Sequence, residues 1–378
     1  MAVRLQMPSI PPISQVLDED AFRGARIGVL SAATIPPSRS GRPMPKIPET
    51  VLESVVYMYE DEGAALHGLE FGGTGFLVGY PSTRFSNMMS LYVVTNWHVA
   101  VRGHTKVVRT NRKDGKPYIV KIDEWFHDYK HDIAVAPFPA HLPDLDCALI
   151  QPSFFVSKAE VERHSLGPGE DVFMVGRFVD HDGGATNRPA VRFGNISVMP
   201  TPLDQPTGHV ADTYCIDMHS RPGYSGSPVF VYRTPGYDLT RQIESGAQTK
   251  LMIAGVNFFG LLGIHYDQFP EPWPIIGKLG ELPPVKHEGP VIRGLSGMTK
   301  VLPAWSILEV LDMPILKESR ARQDEEHAQS LAMQGTGESS QPTPLTEGEV
   351  APETDNPSHK EDFTRLLNAA VKANKPAS

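Results

Sequence analysis

Arg221-Pro222-Gly223-Tyr224-Ser225-Gly226-Ser227-Pro228-Val229-Phe230-Val231 is the stretch on which the reading of this chain turns. Glycines on both sides of a serine permit a tight turn that exposes the hydroxyl and aims successive backbone N–H groups into one pocket, where an oxyanion could be held. Ser225 is therefore the candidate nucleophile, with the amides of Gly223 and Ser225 as candidate oxyanion donors. A serine hydroxyl needs a neighbouring base. Val93-Val94-Thr95-Asn96-Trp97-His98-Val99-Ala100 places His98 just beyond a strongly apolar run, which makes it the candidate base. The imidazole in turn needs a carboxylate to set its tautomer. His131-Asp132-Ile133-Ala134-Val135 supplies Asp132 at the start of another apolar run; Asp146 before Cys147-Ala148-Leu149-Ile150 and Asp128 in His127-Asp128-Tyr129-Lys130-His131 are the alternatives. Each piece alone has an ordinary reading as turn chemistry. Together they stand in the order His, Asp, Ser, which separates them from the orders of α/β-hydrolases and subtilisins.

Outward from these motifs, the chain from Val51 consists of short β-branched, aromatic and aliphatic runs separated by Gly, Pro, Asn and Asp, with no sustained 3.6-residue period. The pattern predicts an all-β body. Expected strands are 54–59, 75–79, 91–95, 105–109, 118–122, 133–137, 171–175, 191–199, 211–217, 228–232, 251–258 and 261–266, with helices at 158–164 and 303–311. Pro303 is expected in the first turn of the second helix.

With that context, the sequence resembles the trypsin-like (chymotrypsin-fold) serine proteases, particularly the disulfide-free bacterial peptidases of that superfamily, over about residues 50–315. Gly73-Thr74-Gly75-Phe76-Leu77-Val78 resembles the strand before the histidine, and Thr95-Asn96-Trp97-His98-Val99, Asp132-Ile133-Ala134-Val135 and Gly223-Tyr224-Ser225-Gly226-Ser227-Pro228 resemble the three triad motifs. Asp-Ile-Ala-Val at 132–135 is the closer match for the aspartate. The resemblance implies two perpendicular six-stranded antiparallel β-barrels, with His98 and Asp132 from the first and Ser225 from the second. It also implies a serine endopeptidase acting through an acyl-enzyme. It places His219 near the base of the specificity pocket and Gly260, Gly263 and His265 on its wall strand or approach. Tyr224 stands where animal digestive members carry the aspartate that pairs with a new N-terminus after cleavage, so that activation switch is absent, and Trp97 replaces a small residue. The alternative is a catalytically silent barrel that recruits partners through its tail; an esterolytic hydrolase would share the same chemistry.

Composition sets the remaining bounds. The 378 residues are 40% hydrophobic and carry 35 basic against 44 acidic side chains, a formal charge of −9, which argues against binding nucleic acid or an anionic membrane surface. The longest nearly unbroken apolar run, 251–264, is too short to span a bilayer. Cys147 and Cys215 are the only cysteines, and the first thirty residues lack a secretion signal, so the expectation is a reducing, cytoplasmic setting without disulfides. No cofactor is expected. His127 and His131 stand four apart but no third ligand is in place, so no metal is expected either. Residues 1–48 carry eight prolines and read as an extended arm; 49–316 is the expected protease domain, with the link between barrels near 140–170. Residues 317–357 read as a disordered linker, poor in aromatic and aliphatic side chains. At 358–378 the capping box Ser358/Glu361 precedes Phe363, Leu366, Leu367, Ala370 and Val371, an amphipathic helix and a candidate docking element for a protein partner.

Overall fold

The computed structural model describes residues 28–30, 47–69, 72–140, 142–179, 183–233, 258–274 and 291–336. The first sheet is built from β1 (Gly28–Leu30), β2 (Val55–Tyr59), β3 (Thr74–Pro81), β4 (Met89–Thr95), β5 (Val107–Arg112), β6 (Pro117–Lys121), β7 (Ala134–Pro137), β8 (Leu145–Asp146) and β9 (Ala148–Ile150). Strand β2 shows why this segment is a central strand: every residue of Val-Val-Tyr-Met-Tyr is buried, and its two faces feed two different cores. Val56 and Met58 join Leu77, Val93, Val108 and Ala136 inside the curved sheet. Val55, Tyr57 and Tyr59 face the other way, into a core shared with Phe173, Phe230 and Ile264 of the second half of the molecule. The period-two alternation of a strand makes this division possible.

The second half is a closed barrel of β10 (Asp171–Gly176), β11 (Ala190–Asp204), β12 (Val210–Asp217), β13 (Pro228–Arg233), β14 (Phe258–Pro274) and β15 (Val291–Pro303), in the order β10-β11-β12-β15-β14-β13. Every ladder in it is antiparallel. Val172, Met174, Ile216, Val229, Val231 and Val301 fill its interior.

This architecture is chymotrypsin-like, with one correction to the expected pair of six-stranded barrels. The second barrel has six strands, but the first sheet has nine, and no ladder joins β6 to β7 among the described residues. Strand β3 outruns β2, which covers only Thr74–Phe76. The edge left open is taken by β9 at Val78↔Ile150, and β1 pairs with β9 in parallel. An exposed strand edge is a row of unpaired backbone groups, and these additions cover it. Of the expected strand 251–258, all but Phe258 lies outside the described residues.

Five α-helices accompany the sheets among the described residues: α1 (Glu49–Glu53), α2 (Glu62–His67), α3 (Lys158–Arg163), α4 (Ala304–Leu311) and α5 (Pro314–Thr336). Ser157 and Glu160 form a capping box on α3, and Pro303 sits at the N-cap of α4 rather than inside its first turn. Helix α5 replaces the first part of the expected linker 317–357. Its inward face is polar: Ser319, Gln323 and His327 are buried, Gln323 accepts from Ser90 Oγ at 2.8 Å, and Arg320 donates to Tyr92 Oη at 3.2 Å and to Leu311 O at 2.9 Å. A helix that docks through hydrogen bonds leaves no apolar stripe in its sequence. The chain divides into two compact units at Ser330, and of the second only the end of α5 is described. The expected helix at 358–378 and most of the arm at 1–48 lie outside the described residues, and no described helix is long and apolar enough to cross a membrane.

Candidate active site

Strands β4 and β7 pair to the register Thr95↔Ala134. That register sets the segment three residues past Thr95 beside the segment two residues before Ala134, which brings His98 onto Asp132. His98 Nδ1 lies 2.6 Å from Asp132 Oδ2, and the His98 backbone N–H donates to Asp132 Oδ1 at 2.9 Å. Asn96 Nδ2 holds the Asp132 carbonyl at 2.9 Å. A carboxylate accepts, so Nδ1 carries the imidazole proton and Nε2 keeps its lone pair. Asp132 is fully buried, and that burial pushes its carboxyl pKa up, against the hydrogen bonds and charge of His98, which pull it down. Of the alternatives, Asp146 lies in β8, where it pairs with Asn111, and Asp128 binds the backbone and ring of His131.

The serine turn lies between β12 and β13. Gly223 has φ +96° and Gly226 φ +87°, backbone that side-chain-bearing residues rarely adopt; a Cβ on Gly226 would stand 1.9 Å from the Thr74 carbonyl oxygen. The turn is tied to the first sheet through Thr74, whose N–H donates to Ser225 O at 2.7 Å and whose Oγ1 donates to Gly223 O at 2.6 Å. Thr74 Oγ1 also accepts from the Arg177 amide at 2.9 Å, and Thr95 Oγ1 donates to Thr74 O at 2.6 Å. On the other side, Gly226 N–H donates to His265 O at 2.9 Å. The amides of Gly223 and Ser225 donate to no acceptor among the described residues. A cavity of about 310 Å3 opens here, lined by His98, Gly223 and Ser225 among others. No hydrogen bond joins Ser225 Oγ to His98 among the described residues; such contacts commonly tighten only when substrate is bound.

Residues 73–234 match the family of trypsin-like peptidase domains, the stretch that holds all three side chains. Over that stretch the chain is similar to trypsin-like peptidase domains. It is similar to the MamO protease domain from Magnetospirillum magneticum in its apo form, at 16% identity and a TM-score of 0.39, over 70% of this chain and 98% of that one. It is also similar to Rv3671c of M. tuberculosis in an inactive form, at 19% identity and a TM-score of 0.36, over 69% of this chain and 86% of that one. A third similar structure is the HtrA-type protease AlgW with a decapeptide, at 14% identity and a TM-score of 0.35, over 69% and 64% of the two chains. Comparison with the curated proteins returns no significant match.

Several further contacts were not legible in the sequence. Ser220 Oγ lies 2.8 Å from His265 Nε2, and His265 Nδ1 lies 3.2 Å from Lys300 O. A carbonyl only accepts, so Nδ1 is protonated and Nε2 accepts from Ser220. Burial pushes the His265 pKa down to about 4. Tyr224, at the position where an activation aspartate would stand, is fully buried, with Arg192 Nε 3.4 Å from its hydroxyl. His219 is exposed and lies beside Gly297 of β15. The two histidines His127 and His131 do not share a ligand set. His131 instead gathers with Asp128 and Glu309, their ligand atoms all within 4.8 Å of one another. Both Asp128 oxygens there already accept, Oδ1 from the Lys130 and His131 amides and Oδ2 from the imidazole. Cys147 and Cys215 are both buried and free, and burial pushes the Cys147 thiol up to about 12.

Proposed function

We propose that this chain is a serine endopeptidase in which Ser225 attacks the scissile carbonyl, His98 is the base and Asp132 orients it. The observation that carries the reading is the two-point grip of Asp132 on His98, 2.6 Å to Nδ1 and 2.9 Å from the backbone amide, beside a cavity that His98 shares with Ser225. The grip leaves Nε2 as the acceptor for the Ser225 hydroxyl proton as Oγ bonds to the carbonyl carbon. Negative charge then develops on the carbonyl oxygen, where the amides of Gly223 and Ser225 stand ready to donate. His98 returns the proton to the leaving amine, the C–N bond breaks, and an acyl-Ser225 ester remains. Water, deprotonated by His98, attacks that ester; its C–O bond to Ser225 breaks and Oγ regains a proton. The substrates of this reading are proteins or peptides.

Two further elements belong to the proposal. Tyr224 is buried as an uncharged residue and cannot form the ion pair that cleavage would switch on, so activity requires no N-terminal processing. The buried free thiols suit a reducing, cytoplasmic setting.

A fluorophosphonate probe tests the reading directly. The unprocessed chain should label at Ser225, and Ser225→Ala should abolish labelling while the folded state persists. Asp132→Asn should slow peptide hydrolysis on the order of ten-thousand-fold, the size known for the chymotrypsin template, and Asp128→Asn should not. A folded chain that does not label would be a silent barrel and would overturn the proposal.

A further inference from the structure

Three consecutive acids, Glu60, Asp61 and Glu62, follow β2, and two of them are occupied locally. Asp61 caps α2 by accepting from the Ala64 amide at 2.8 Å, and Glu62 pairs with Lys121 at 2.5 Å. Glu60 has no ion-pair or hydrogen-bond partner among the described residues, yet it lines the cavity that contains His98 and Ser225. Its backbone neighbour Tyr59 is fixed by its carbonyl, which accepts from the Lys106 amide at 3.1 Å, so the carboxylate stands on the rigid end of a central strand. It is the only carboxylate among the described lining residues.

The cavity lies on one side of the serine. Its lining comes from the ends of first-sheet elements, together with Pro222, Gly223 and Ser225. None of its described lining residues comes from β14, which meets the serine turn through the Gly226–His265 and Ser227–His265 backbone bonds. The departing amine takes its proton from His98, so the group beyond the scissile bond occupies the side where His98 stands.

We infer that Glu60 is a specificity residue of this leaving-group subsite, which favours a cationic side chain, Lys or Arg, just after the cleaved bond. The inference rests on the serine-endopeptidase reading. A carboxylate on an exposed rim discriminates charge modestly, on the order of three- to fivefold, and the preference shrinks as salt screens it.

The test uses acyl transfer, which addresses this subsite alone. A p-nitrophenyl ester acylates Ser225, and the acyl-enzyme then partitions between water and an added amine, either argininamide or glutamic acid α-amide. In aminolysis the amine nitrogen bonds to the acyl carbon, its proton passes to His98, the C–O bond to Ser225 breaks, and Oγ is reprotonated. The ratio of the two amide products is internal to each preparation, so a change in active fraction cancels. Relative to the wild-type chain, Glu60→Gln should lower the arginine-to-glutamate product ratio by about three- to fivefold, and Glu60→Lys should lower it further, with both shifts fading at high salt. Normal acylation with an unchanged ratio in both variants overturns the subsite alone. Ester turnover that is absent, or that persists in Ser225→Ala, overturns the serine-endopeptidase reading and the subsite with it.

Discussion

Thr74 Oγ1 donates a 2.6 Å hydrogen bond to the carbonyl of Gly223 across 149 positions of sequence, and that bond holds the peptide between Gly223 and Tyr224, which lies between the two candidate oxyanion amides. With its carbonyl held on Thr74, the turn is pinned against the first sheet while the amides of Gly223 and Ser225 donate to no acceptor among the described residues. The buried hydroxyl thus joins the two halves of the molecule at the candidate oxyanion site.

Thr74→Val keeps the shape of the side chain and removes both of its bonds, to Gly223 O and from the Arg177 amide. The expected cost in stability is about 1–3 kcal/mol, since a buried donor loses its acceptor. Activity should fall on the order of tenfold or more in kcat with KM little changed, because Thr74 touches the turn and not the substrate. Thr74→Ser should restore most of it. Equal losses in Thr74→Ser and Thr74→Val would show that packing, not the hydroxyl, is what matters.

The buried His265 sets a pH dependence of stability. Its folded pKa is about 4, pushed down chiefly by burial, whereas a histidine in the unfolded chain titrates near ~6.5. The unfolded chain therefore binds the proton more readily, and the contribution of neutral His265 is present above ~6.5 and lost as pH falls toward 4. The full loss is on the order of 3 kcal/mol. Melting temperature measured between pH 7 and 4 should fall for the wild-type chain and fall less steeply for His265→Gln. Parallel slopes would assign the acid sensitivity to other groups.

Helix α5 should contribute to the stability of the domain through Arg320, whose guanidinium lies 4.0 Å from the Tyr80 ring centre and bonds to Tyr92 and Leu311. Arg320→Ala should cost roughly 1–3 kcal/mol and lower the melting temperature by several degrees. Arg322→Ala, on the exposed face, should change it by about a degree at most. Equal effects at the two positions would mean that the helix does not dock.

The candidate triad could be named from the sequence because its motifs are local. A glycine-flanked serine, a histidine after an apolar run and an aspartate before one each carry their chemistry within a few residues, and their chain order excludes rival folds. Choosing Asp132 over Asp128 and Asp146 on geometry took the β4–β7 register, which no single segment contains. Helix α5 was invisible for a different reason. Periodic apolar residues announce a helix that docks by burial, and this one docks through Ser319, Arg320, Gln323 and His327.

What the sequence alone determined is the all-β class, the barrel strands with strong alternation, and the three side chains that carry the candidate chemistry, because turn propensity and strand periodicity are local properties. The tertiary structure decided the nine-stranded form of the first sheet, the Thr74 tether, the tautomers of His98 and His265 and the place of Glu60 at the cavity. Each of these depends on which distant backbone edge or polar atom meets another once the chain has closed, and that pairing is a property of the assembled core.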